Sequence, residues 1–114
     1  MLEVRNILEG VENFNSPILQ EFAHCVATRL PKGEDVEDCP LIEQTEAIAN
    51  AIMFASIDVK YQPTLQKDYP HLRDYIKSSG SMQVLCSEVA EVIIDKTNTQ
   101  FSKAFAIIKP KYFG

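Results

Sequence analysis

Residues 47–57 read AIANAIMFASI, and nine of these eleven positions are apolar, with Asn50 and Ser56 the exceptions. The run sits inside a longer helical pattern from about Leu41 to Tyr61. Its apolar residues surround the axis instead of keeping to one side, which is the pattern of a helix in an interior or an interface. Ala47, Ala49, Ala51 and Ala55 let neighbours approach closely, while Phe54 and Tyr61 project away from Leu41, Ile52 and Val59. The fold expected around it is all-α: a compact bundle of about five helices around a buried central helix at about 41–61.

The flanking segments supply those helices. Val4, Ile7, Leu8, Val11 and Phe14 recur at spacings of three and four, one stripe of an amphipathic helix over 2–14. Ser16-Pro17 is an N-cap followed by a first-turn proline. The helix it opens runs to about Leu30, with Phe22, Ala23 and Val26 on its inner side, and Pro31-Lys32-Gly33 ends it. The short punctuation between these two helices reads as an antiparallel helical hairpin. Pro63 and Pro70 divide the region after the central helix into short pieces. Gly80 reads as a left-handed terminator, and Ser81 caps a helix whose stripe is Met82, Leu85, Val89, Val92 and Ile93.

The end of that helix poses a geometric problem. At 100° per residue, Phe101, Ala104, Phe105 and Ile108 point about 120° away from the Met82–Ile93 stripe, so one straight helix cannot aim both at one core. A break near Thr97-Asn98-Thr99 resolves the conflict, because these residues favour local hydrogen bonds over helix interiors. The alternative is that the second face meets another chain. A short strand at 101–108 is the remaining reading. Residues 1–109 are expected to form one domain, with 110–114 a short C-terminal tail.

The chain has 114 residues, 46% hydrophobic and 24% charged, enough for a core without disulfides or metal. Cys25, Cys39 and Cys86 are odd in number and lack the spacing of a disulfide framework or a zinc site, which suits a reducing compartment. No apolar run reaches the ~18 residues of a membrane span. The N-terminus lacks the layout of a secretory signal. The expectation is a cytoplasmic protein that does not bind membranes.

The net charge of −5 is unevenly spread. Between Lys32 and Lys60 there are seven acids and no base, and from Lys96 onward four lysines and no acid. An acidic chain lacks the basic face that nucleic-acid phosphates require, so no nucleic-acid partner is expected. Glu34, Asp35, Glu37 and Asp38 crowd one loop, and Glu43 and Glu46 follow on the first turns of the central helix.

Sites for chemistry are sparse. Glu21 and His24 form one Glu-x-x-His, where a di-metal bundle needs two with further glutamates, and both point away from their helix's stripe, as a solvated face does. Glu88, Glu91 and Asp95 also read as a solvated face. His71 has no serine or cysteine arranged with it as a nucleophile. The acidic loop lacks the glycine and distal glutamate of an EF-hand. Acidic neighbours make Cys39 a poor nucleophile. Asn50 either bonds a neighbouring helix or a water, or lines a polar spot in a pocket or a symmetric interface. No cofactor, metal or catalytic motif is read from the sequence.

The leading expectation is therefore a non-enzymatic protein that binds another protein, in an inhibitor, immunity or adaptor role. Its surface would be the acidic residues Glu34, Asp35, Glu37, Asp38, Glu43 and Glu46, the C-terminal segment with Phe101 and Phe105, or both. One alternative is a bundle enzyme or small-ligand carrier with a pocket near Asn50, Phe54 and His71. The other is a homodimer or higher homo-oligomer built through the rotated C-terminal stripe.

Overall fold

The three side chains Ser16, Ser81 and Asn98 set the helix starts that organise the chain. Ser16 accepts from the Leu19 amide (3.2 Å), Ser81 from Val84 (3.3 Å) and Asn98 from Phe101 (3.0 Å). Each satisfies an amide that the first turn leaves without a partner. The computed structural model describes residues 2–32 and 36–114. Among them lie seven α-helices and no strand: α1 Leu2–Glu9, α2 Pro17–Arg29, α3 Leu41–Tyr61, α4 Pro63–Gln66, α5 Pro70–Lys77, α6 Met82–Lys96 and α7 Thr99–Phe113. A 3₁₀ turn, Val11–Asn13, joins α1 to α2.

The all-α expectation holds, with seven helices among the described residues against the about five anticipated. The radius of gyration is 13.4 Å, close to the ~13 Å of a compact domain of this length. The core is one cluster in which Phe22 (α2), Ile48 and Ile52 (α3), Leu72 (α5), Ile93 (α6) and Phe105 (α7) are fully buried. The chain turns sharply at Thr97-Asn98, so the Met82–Ile93 stripe and the Phe101–Ile108 stripe face the same core despite their different phases. α7 folds back along α6, with the Gln83 side chain donating to the Phe113 carbonyl (3.0 Å) and Lys109 paired to Glu91 (3.0 Å). It also packs on α3. The rotated stripe thus covers the central helix within the same chain.

Several expectations need correcting. The first helix is not continuous over 2–14: α1 stops at Glu9, and Val11 is exposed while Phe14 returns to the core. Residues 110–113 are not a tail but the last turn of α7, with Phe113 buried. Pro110 deletes one helical hydrogen bond, which the Gln83 bond and the burial of Phe113 offset. Gly80 is not the left-handed residue either; Ser79 is, at φ 62°. The Gly80 amide bonds the Tyr75 carbonyl (2.9 Å) and the Ser79 amide bonds that of Ile76 (3.0 Å), the paired bonds of a Schellman ending. Gly80 is needed for space: a Cβ there would lie 2.4 Å from the Tyr75 ring, whose hydroxyl donates to the Ser81 carbonyl (2.7 Å).

α3 departs most from its sequence reading. Thr45, Ile48, Ala49, Ala51, Ile52, Ala55 and Val59 are buried, but Phe54, Ile57 and Tyr61 are 48%, 44% and 69% exposed. The helix is central, yet only its Ile52 side is covered. Neighbouring helices α2, α6 and α7 pack on that side. Cys25 and Cys86 lie against the Ala55 and Ile52 carbonyls from there, and Arg29 forms an ion pair with Asp58.

Candidate functional site

On α3 the positions Glu43, Ala47, Asn50, Phe54, Ile57 and Tyr61 follow one another at spacings of four, three, four, three and four. That is the phase of a coiled-coil seam. Glu43, Phe54, Ile57 and Tyr61 are exposed, and Ala47 and Asn50 are half-buried. Met53 lies half-buried beside the seam, and Lys60 holds its ammonium 5.5 Å from the centre of the Tyr61 ring. The chain also exposes Leu41 and Ile42 at the start of α3, off the seam, and Leu2, Val11, Val84 and Ile107 singly on other elements. Scattered apolar residues are ordinary on any surface, whereas a contiguous apolar stripe marks an interaction site.

The acidic residues lead into this stripe. Glu37, Asp38 and Glu43 are exposed and Glu46 is half-buried. Among the described residues, no lysine, arginine or histidine forms an ion pair with any of the four. Glu34 and Asp35 lie outside the described residues. The C-terminal half of the expected surface is not available: Phe105 is fully buried and Phe101 nearly so, their rings 6.3 Å apart inside the core. They face inward because the Asn98 cap redirects α7. Neither ring lies on the surface that a homo-oligomer through this stripe would need.

A second cluster joins α2 to the start of α5. α5 begins without a side-chain cap from Tyr69, the residue at its cap position. Glu21 supplies one from α2, its two carboxylate oxygens accepting from the Leu72 amide (2.8 Å) and the His71 amide (3.3 Å). The same carboxylate lies 2.7 Å from His71 Nδ1. One turn on, His24 Nδ1 is 3.1 Å from the Tyr69 hydroxyl. Burial pushes the Tyr69 phenol up, with Cys25, Asp68 and Glu21 adding to the rise. Gln20, Glu21, His24, Asp68 and Tyr69 line an open cleft of about 390 Å³. Sequence reading placed Glu21 and His24 on a solvated face. In the fold Glu21 retains 18% exposure and holds a helix start, and only His24 stays exposed.

The pocket expected near Asn50, Phe54 and His71 does not assemble around those three. The cleft beside His71 is lined by Ile18, Asp74, Tyr75 and Ser78, and Phe54 is on the outward face of α3. No side-chain hydrogen bond reaches Asn50 among the described residues. Chemically, His71 is an imidazole held at Nδ1 by a carboxylate, its side chain largely exposed. Among the described residues it makes no hydrogen bond to a serine, threonine or cysteine side chain, so the cluster holds no activated nucleophile. No group of three or more His, Cys, Asp or Glu is placed to hold a metal ion among the described residues.

Cys25 and Cys86 are buried, and burial raises both thiols above their usual range. For Cys25 the value reaches about 11, mostly through desolvation, with Asp58 adding to the rise and Arg29 opposing it. Among the described residues no helix is long and apolar enough to cross a membrane. Comparison of the chain with protein-family models, characterised proteins and solved structures found no match in any of the three.

Proposed function

We propose that this protein works by association, without catalysis, and that its working surface is the outward face of α3. The occupant is an amphipathic helix. Its apolar residues, spaced by three and four, sit on Phe54, Ile57 and Tyr61, and its basic end lies over Glu43 and Glu46. The observation that carries this reading is the contiguous exposure of three large apolar side chains in seam phase on α3, the longest helix among the described residues. The acids at the start of that helix, which form no ion pair among the described residues, add the charge that would steer and orient the occupant.

A direct test uses a synthetic peptide with leucines in seam phase and lysines in its last turns, titrated into the isotope-labelled protein. The expected result is chemical-shift change along α3, weakened by Phe54→Asp and by raising salt from about 150 to about 500 mM. Binding mapped elsewhere, or binding indifferent to Phe54→Asp, overturns the reading.

A second reading, a small-ligand or catalytic site, draws its support from the Glu21–His71 contact beside an open cleft. Ligand-observed screening of the wild type against His71→Asn tests it. Ligands lost in the variant would favour it, and none lost would dismiss it.

A further inference from the structure

The flank of the α3 seam carries more information than its apolar positions. Written as heptads with Ala47, Phe54 and Tyr61 as one core position and Glu43, Asn50 and Ile57 as the other, one flanking position recurs at Glu46, Met53 and Lys60. An acid, an apolar residue and a base therefore succeed one another along a single edge. In a parallel pair of identical helices Glu46 would lie level with Glu46 and Lys60 with Lys60. In an antiparallel pair the order inverts: Glu46 meets Lys60 at both ends and Met53 meets itself at the middle.

We propose that the occupant of this face is α3 of a second copy, laid antiparallel across a two-fold axis near Ile52–Met53. The inference rests on the reading of α3 as a helix-docking face and names the helix. The axis makes the contact self-complementary, as a two-fold interface must be. Asn50 faces Phe54 of the partner subunit, Ala47 faces the partner's Ile57, and Glu43 meets the partner's Tyr61 at each end. The same register brings Glu46 to the partner's Lys60. Two different spacings, that of the core layers and that of the flanking pairs, are satisfied by one register.

The area is consistent with a modest dimer. Phe54, Ile57 and Tyr61 leave roughly 300 Å² of exposed apolar surface per copy. With the flanks, the pair buries on the order of 1,000 Å² in total, the lower bound of a specific interface. The association is concentration-dependent, with a dissociation constant of roughly tens of micromolar.

The experiment is sedimentation of the full chain across that concentration range, with four variants. Wild type dimerises and Phe54→Asp is monomeric with an unchanged helical spectrum. Glu46→Lys and Lys60→Glu each weaken the dimer roughly tenfold, since each sets like charges together at two places. The double exchange Glu46→Lys with Lys60→Glu restores wild-type affinity, because the pairs re-form with signs reversed. Zero-length carbodiimide coupling of mixed light- and heavy-isotope copies joins Glu46 of one to Lys60 of the other. A wild-type monomer near 1 mM (about the highest concentration such an assay needs) overturns the second copy as occupant. In that case the docking face still stands or falls by the peptide titration. A dimer in which the double exchange does not rescue overturns the antiparallel register and with it the proposal. A dimer indifferent to Phe54→Asp overturns both the inference and the docking face.

Discussion

Replacing Glu21 by alanine should destabilise the protein far more than an exposed helical glutamate normally would. The carboxylate completes the start of α5 from another helix, accepting from the amides of His71 and Leu72. Losing an N-cap costs about 0.5–2 kcal/mol. A bond to a charged acceptor adds to that, whereas the imidazole contact adds little because His71 is largely exposed. The expected loss for Glu21→Ala is about 2 kcal/mol, and a melting point lower by roughly 8 °C for a domain of this size. Glu21→Gln keeps an acceptor for the amides but loses the charge favoured at a helix start, and should cost about 1 kcal/mol. Urea titration followed by circular dichroism gives the free energies. Hydrogen exchange at the Leu72 amide tells whether the damage is at α5. A loss under about 0.5 kcal/mol for Glu21→Ala, or equal losses for the two variants, would refute the capping argument.

Other expectations follow from the same packing. Phe105→Ala should cost about 3–5 kcal/mol, and Phe54→Ala under about 0.5 kcal/mol in the monomer, a contrast that thermal unfolding at low concentration resolves. Ser79→Gly should stabilise by about 0.5–1 kcal/mol by relieving a left-handed serine, whereas Gly80→Ala should destabilise by about 1–3 kcal/mol because its methyl meets the Tyr75 ring; chemical denaturation separates the two signs. Cys25 and Cys86 should resist a thiol reagent in the folded state at neutral pH while Cys39, half-buried, reacts first. Because the Cys25 thiol titrates near 11 when folded and near 9 when free, the unfolded chain loses its proton first. Stability from this group is therefore full below pH 9 and falls as pH rises from there toward 11, which an alkaline denaturation series compared with Cys25→Ala would show.

Features that depend on near neighbours were legible in the sequence. The Ser16 and Ser81 starts were, because a cap bonds an amide three residues on. So was the break at Thr97-Asn98, because two stripes out of phase cannot share a core. The exposed face of α3 was only half legible. Helical spacing set Phe54 and Tyr61 opposite Ile52 and Val59, but a helix apolar all round does not say which arc its neighbours cover. The role of Glu21 was invisible because the amides it caps lie fifty positions later. Phe101 and Phe105 were misassigned to a surface because their direction depends on where α7 folds back, a tertiary property. The tail expected at 110–114 is helical to Phe113 instead, because burial of Phe113 outweighs the single amide that Pro110 lacks.

The way helix ends are closed bears on how this molecule comes apart. The Arg5 guanidinium donates to the Ala27 carbonyl near the end of α2 (2.9 Å), α2 in turn holds the start of α5 through Glu21, and α6 holds the end of α7 through Gln83. Such an ending cannot fray while its donor helix stays in place, and cannot survive once that helix leaves. Local opening, usual at helix termini, is thereby tied to larger units. Amides in the last turn of α2, the first of α5 and the last of α7 should exchange at rates set by cooperative loss of whole helix pairs. Deleting the first helix should then loosen α5, which it reaches through α2.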